Sequence, residues 1–156
     1  MNAYCQSCLH QIEVAINKTL EIIQHLKEED LSLCPTSGKL SVGELLVHIA
    51  QICKTDYAIS LGYTKEEMDA IYQTTHLETL DEIKMAIKDN FVDLKKGYEN
   101  LSEQALHTQV TSYWGTTYTR YEWLVEILAH IYHHRGQVHA ILTHVYGKEL
   151  NVLMFE

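Results

Sequence analysis

His130 and His134 stand four residues apart in the last long apolar-periodic stretch of the chain. On a helix that spacing puts two imidazoles on one face, a turn apart. With ten histidines in 156 residues, such a pair can arise by chance, so register has to carry the argument. The apolar series there runs Leu124, Ile127, Ile131, then Val138, Ile141, Val145, and His134 occupies the step where the repeat asks for an apolar side chain. His130 lies beside Ile127 and Ile131 on the same inward face. Burying two imidazoles side by side is unfavourable unless both find partners. One divalent metal ion satisfies both, through neutral ring nitrogens at about 2.0–2.1 Å. His48 is a third candidate, about 40–60° around its own helix from Leu45 and Ile52, and so also inward. On spacing alone the alternative stays open: three core histidines bonded to carbonyls or waters.

Other chemistry-bearing residues are less well placed. Glu126, one turn before His130, is an acid or base candidate or else a solvated flank residue. Ile131 stands where a metalloprotease motif would need its glutamate. Cys5-Gln-Ser-Cys8 has the spacing of half a zinc site, but no second cysteine pair completes it. His133 is expected on the helix flank, and His10, His25, His76, His107, His139 and His144 at polar or peripheral positions.

The elements that position the histidines are marked by four capping boxes: Ser41/Glu44, Thr64/Glu67, Thr79/Glu82 and Thr119/Glu122. In each, the hydroxyl accepts from the third helical N–H while the glutamate reaches back to the cap N–H. Leu40 with Leu45, Tyr63 with Met68 and Tyr118 with Trp123 are spaced as hydrophobic staples. With the apolar spacing, the boxes predict long helices over 3–29, 42–61, from 80 to about 101, and 120–146, with Gly147 as the last C-terminal cap. Residues 62–78 hold a box of their own and predict a short helix in a crossover. Residues 102–118, with Tyr113, Trp114 and Tyr118, read as an aromatic loop over a core end. No strand-like alternation of useful length appears. The expectation is one all-α domain over 1–156 with four long helices in a bundle.

Composition narrows the function classes. A single proline, Pro35, permits long uninterrupted helices. The net charge of −9 would repel a nucleic-acid backbone, so no nucleic-acid partner is expected. No apolar run approaches the roughly 18 residues of a membrane span, the first residues lack a basic leader pattern, and four cysteines beside a full core do not suggest a disulfide scaffold. A cytoplasmic protein is the expectation. The apolar stripe of the first helix (Leu9, Ile12, Ile16, Ile22, Ile23, Leu26) looks broad enough for both a core and an interface, and predicts a homodimer.

The segment from Trp123 to Gln137, containing His130-Ile-Tyr-His-His134-Arg135-Gly136-Gln137, resembles the last helix of the DinB/YfiT-like family. Ser41-Val-Gly-Glu-Leu-Leu-Val-His48-Ile-Ala resembles that family's second helix. The resemblance implies an up-down-down-up bundle and one divalent ion, zinc or nickel, on His48, His130 and His134. It also implies chemistry on a small molecule with a low-molecular-weight thiol, since characterised members include thiol-dependent transferases. Arg135 and Gln137 match the signature and would orient the thiol or its carboxylates. Gly136, costly inside a helix, suggests close approach by a helix or substrate. A metal-dependent hydrolase using Glu126 and a non-catalytic metal- or ligand-binding protein of a stress response are the alternatives.

Overall fold

The computed structural model describes residues 2–155. It is mostly helical: α1 (Ala3–Gln24), α2 (Val42–Ser60), α3 (Lys65–Thr74), α4 (Leu80–Glu99), α5 (Glu103–Leu106) and α6 (Arg120–Ala140), with a small hairpin of β1 (Gln109–Thr111) and β2 (Thr117–Thr119) before α6. All four expected capping boxes form. Ser41, Thr64, Thr79 and Thr119 each accept from the N–H of the glutamate three residues on, and each glutamate accepts from the cap N–H in return.

The four long helices pack in a ring in which α2 touches α4 and α6, and α1 touches α6 and α4. Their shared core includes Ile12, Ile23, Leu46, Ile52, Ile87, Leu94, Leu124 and Ile131. Asn90, the polar residue in the α4 repeat, donates its side-chain amide to the Ala50 carbonyl at 2.8 Å, which ties α4 to α2. Gly97 is a close-approach glycine: a Cβ there would collide with the Tyr57 hydroxyl. No helix among the described residues is long and apolar enough to cross a membrane.

Several expectations need correction. The first helix ends at Gln24, not near 29, and Glu28–Ser32 form a separate 3₁₀ turn. The Asp30 carboxylate starts that turn by accepting from the Lys27 N–H at 2.9 Å, offering the backbone a local alternative to continued α-helix. The last helix is regular only to Ala140. A π-turn over Ile141–Val145 follows, and Gly147 then takes the positive φ of 63° that favours glycine there.

The aromatic loop, expected to lack strands, contains the hairpin. Three-residue strands are too short to show alternation. Gly115, at a φ of 96°, permits the reversal, and Trp123 donates its indole N–H to the Val110 carbonyl at 3.2 Å. Trp123, Met68, Ala58 and Ile59 form a second small cluster beneath the hairpin. The first-helix stripe is spent differently from expectation too. Leu9, Ile12, Ile16, Ile22, Ile23 and Leu26 are all buried in this chain's own core, which leaves none of the stripe for a second copy.

Candidate metal centre

α2 and α6 pack against each other, and their facing sides bring His48, His130 and His134 together. The Nε2 atoms of His48 and His130 are 3.1 Å apart. The His134 ring stands edge-on to His48, with centroids 4.5 Å apart, and lies 4.8 Å from the His130 ring. One nitrogen from each of the three lies within 4.8 Å of the others. Ligand nitrogens at about 2.0–2.1 Å from a tetrahedral ion are roughly 3.3 Å apart, so the separation of the first pair suits a shared ion with little movement.

The outward nitrogens of two rings are fixed. His130 Nδ1 lies 2.8 Å from Asp56 Oδ2, and His134 Nδ1 lies 3.0 Å from Gln137 Oε1. Since a carboxylate only accepts and the amide oxygen accepts, both Nδ1 atoms donate. That leaves Nε2 of each neutral ring with its lone pair, and in His130 that atom faces His48. A metal ligand held by a carboxylate or an amide on its far nitrogen is the usual arrangement in such sites. The donor set therefore fits a divalent ion. Without one, His48 Nε2–H donates to His130 Nε2, a tautomer that ion binding would displace.

Electrostatics favour the neutral form at two of the three rings. Burial, then the neighbouring imidazoles, pushes the pKa of His48 down. Burial does the same to His134, against the hydrogen bond that its Nδ1 donates to Gln137. His130 moves the other way, raised chiefly by its hydrogen bond to Asp56. Asp56 is buried and receives a second hydrogen bond from the Thr55 hydroxyl at 3.2 Å on Oδ1. Glu126 is half-buried, and its pKa is raised by desolvation and then by the Asp56 charge.

Asp56, Glu126 and His130 form a second group able to hold a cation. It shares His130 with the first group and would need the Nδ1 that Asp56 already engages. The histidine triad needs no such rearrangement.

Two clefts open at the triad. One, of about 240 Å³, is reached past His48 and His130 and is walled by Tyr72, Tyr113, Trp114 and Trp123, with Asp56 and Glu126 at its side. Tyr118 rests on Trp123 as the staple spacing predicts, with ring centroids 4.9 Å apart, and Trp114 stands edge-on to the same indole at 6.1 Å. The aromatic loop thus lines the approach to the histidines. The other cleft, of about 580 Å³, lies on the His134 side.

The remaining expected residues are distributed unevenly. Gln137 is at the site, as the acceptor that orients His134. Glu126 is in the aromatic cleft. Arg135 is not brought to the histidines: it is buried, with its guanidinium 4.3 Å over the Tyr132 ring and 5.2 Å from Phe155. Its Nε and Nη1 find no hydrogen-bond partner among the described residues. Gly136 has open space where a Cβ would stand, so no helix approaches it. Cys5 and Cys8 are buried and free, and burial pushes the Cys8 thiol up to about 11, far from a reactive thiolate. His133 is exposed, as are His10, His25, His76, His107 and His144, while His139 is half-buried.

Asp56 is the residue that reading the sequence missed, although a signal was present. The α2 repeat Leu45, Ile49, Ile52, Asp56, Ile59 places it at an apolar step, as His134 is placed in α6.

Fold and site together define a helical protein with a three-histidine centre able to hold a metal ion, reached through an aromatic cleft. The chain belongs to the DinB family, whose family model matches residues 1–148. The crystal structure of a candidate DinB-family protein from Exiguobacterium sibiricum superposes with a TM-score of 0.86 at 27% identity, covering 99% of each chain. A DinB-like protein from Bacillus subtilis matches with a TM-score of 0.72 at 18% identity, over 96% of this chain and 98% of that one. A mycothiol-dependent maleylpyruvate isomerase shares the fold with a TM-score of 0.65 at 14% identity, over 88% of this chain and 63% of its own. No curated protein matches the sequence.

Proposed function

We propose that this chain is a metal-dependent transferase that joins a low-molecular-weight thiol to an electrophilic carbon of a small molecule. The observation that carries the reading is the convergence of one ring nitrogen from each of three histidines, with two of the rings held by Asp56 and Gln137 through Nδ1. On this reading His48, His130 and His134 hold one divalent ion, zinc or nickel, and none of them shuttles protons. A divalent ion bound there supplies Lewis acidity that lowers the pKa of a thiol or a water. The fold shared with a mycothiol-dependent isomerase supports a small thiol as the partner.

The chain's own residues do the rest. Asp56 and Gln137 hold two ligand rings in place. Tyr72, Tyr113, Trp114 and Trp123 offer an apolar wall that would exclude water around the electrophile. The carbon–sulfur bond forms as the bond to the leaving group, or the epoxide C–O bond, breaks with its electron pair. The thiol proton passes to solvent or to Glu126, whose raised pKa suits it to hold one.

Hydrolysis is the second reading, favoured by the same half-buried Glu126 beside Asp56. A screen of metal-loaded protein with several thiols against halogenated and epoxide acceptors separates the two. The transferase forms a thioether and needs added thiol. Thiol-independent turnover that is lost in Glu126→Gln would overturn it. Binding of metal and ligand without turnover would leave the stress-response binding protein.

The four long helices complete this reading as an up-down-down-up bundle in one domain over 1–156, in a cytoplasmic protein without a nucleic-acid partner. A homodimer belongs to it as well, with an interface other than the first-helix stripe, and light scattering tests that.

A further inference from the structure

The two clefts at the triad differ in chemistry. The aromatic cleft carries the carboxylates of Asp56 and Glu126 and no lysine or arginine. The cleft on the His134 side is lined by Thr36, Lys39, His133 and Gln137 among apolar residues, and carries no carboxylate. Lys39 is exposed and forms no ion pair among the described residues. In a chain with 21 acidic residues against 12 basic ones, a groove of that size with a free ammonium and no acid beside the triad is a selective feature.

We propose that the two reactants reach the triad from two sides: an anionic, carboxylate-bearing thiol along the Lys39 groove, and an uncharged or cationic aromatic molecule in the Trp114 cleft. This rests on the thiol-transferase reading and specifies its substrates. An anion entering the aromatic cleft would meet two carboxylates in a partly desolvated space, where like charges repel strongly. The same carboxylates and four ring faces favour a cation or a neutral ring. In the other groove the Lys39 ammonium pairs with a carboxylate, while the Thr36 hydroxyl and His133 imidazole provide further hydrogen-bonding groups. Arg135, buried against Tyr132 and Phe155, takes no part, so Lys39 is the cation that recognises the thiol's charge.

Calorimetry and the indole N–H signals test the two halves separately. The chain has two tryptophans, Trp114 and Trp123, and both line the aromatic cleft, so their signals report on that cleft. Zinc-loaded protein is titrated with mercaptosuccinate and with 2-mercaptoethanol. The dicarboxylate thiol should bind more tightly by about fivefold, the upper range for one exposed ion pair. Lys39→Glu should erase that preference with zinc content and 2-mercaptoethanol affinity unchanged. Benzamidine should move the indole signals, whereas benzoate and mercaptosuccinate should leave them in place.

Equal mercaptosuccinate affinity in Lys39→Glu and the parent protein would overturn the Lys39 assignment and leave the transferase reading standing. Indole shifts with benzoate as large as those with benzamidine would overturn the assignment of the aromatic cleft. If neither thiol binds the zinc-loaded parent protein, the transferase reading and this inference fall together.

Discussion

The α1–α4 side of the molecule and the α2–α6 side are built from the same element with different contents. The buried face of α1 is apolar apart from Thr19, and Thr19 satisfies itself on the Ala15 carbonyl of its own helix at 2.9 Å. The buried face of α4 is Leu80, Ile83, Ile87, Phe91, Leu94 and Tyr98. Where α2 meets α6, positions of the same kind hold His48, Asp56, His130 and His134. Polar groups there carry a desolvation cost that needs compensating partners, and each finds one within the cluster. One side makes the fold stable, and the other uses that stability to hold groups a core would otherwise reject. Functional sites are where local rules of this kind break.

The comparison can be broken most directly at His134. Replacing it with alanine should reduce bound metal from near one equivalent to background, because two remaining imidazoles cannot hold a divalent ion firmly. Elemental analysis that finds equal metal in mutant and parent would remove the centre as assigned. On the opposite side, Ile12 is fully buried, and Ile12→Ala should cost about 2–5 kcal/mol in denaturant unfolding. Metal per folded protein should not change, and a loss of metal there would show that the two sides are not independent.

Asp56→Asn sharpens the contrast. It keeps the shape but removes the charge behind His130, so metal affinity measured by chelator competition should weaken about 10–100-fold. The metal-free protein gives the pH signature. His130 has a raised folded pKa, so its pairing with Asp56 contributes fully below the unfolded imidazole value and is lost as pH rises through the folded one. The stability lost on Asp56→Asn should therefore be greater in acid than in mild alkali, as read from denaturant midpoints on either side of neutrality. The smallest effect is at Gly136. With open space at its Cβ position, Gly136→Ala should stabilise the protein by up to about 1 kcal/mol, whereas Gly97→Ala, aimed at the Tyr57 hydroxyl, should destabilise it. Thermal unfolding of the two variants distinguishes a tolerated glycine from a required one.

Much of this was legible in the sequence because its signals are local. A capping box is complete within four residues, and all four boxes start helices where they stand. The histidine set was legible through register, a periodic signal that runs the length of a helix. The hairpin was not, since its three-residue strands depend on Trp123 and Val110 meeting across the loop. The end of the first helix was missed because Asp30 competes for the backbone at a point where the apolar period alone would continue. Arg135 and Gly136 sit in the recognised signature, and a signature does not say which way a side chain turns. Neighbours on a helix differ by about 100°, so Arg135 leaves the face that His134 occupies. Asp56 could have been read from the α2 repeat, with the same logic that selected His134.

The histidines also set an order of events during synthesis. His48 and His130 are 82 positions apart, and the Cys8 thiol reaches the Leu124 carbonyl across 116. A growing chain on the ribosome therefore carries α1 and α2 with the faces that α6 packs against uncovered until the last helix emerges. The same helix delivers two of the three imidazoles. Closing the core and bringing the three imidazoles together become one late step, so on the proposed reading metal uptake would be linked to folding. A truncated chain that stops before α6 would be left unable to do either.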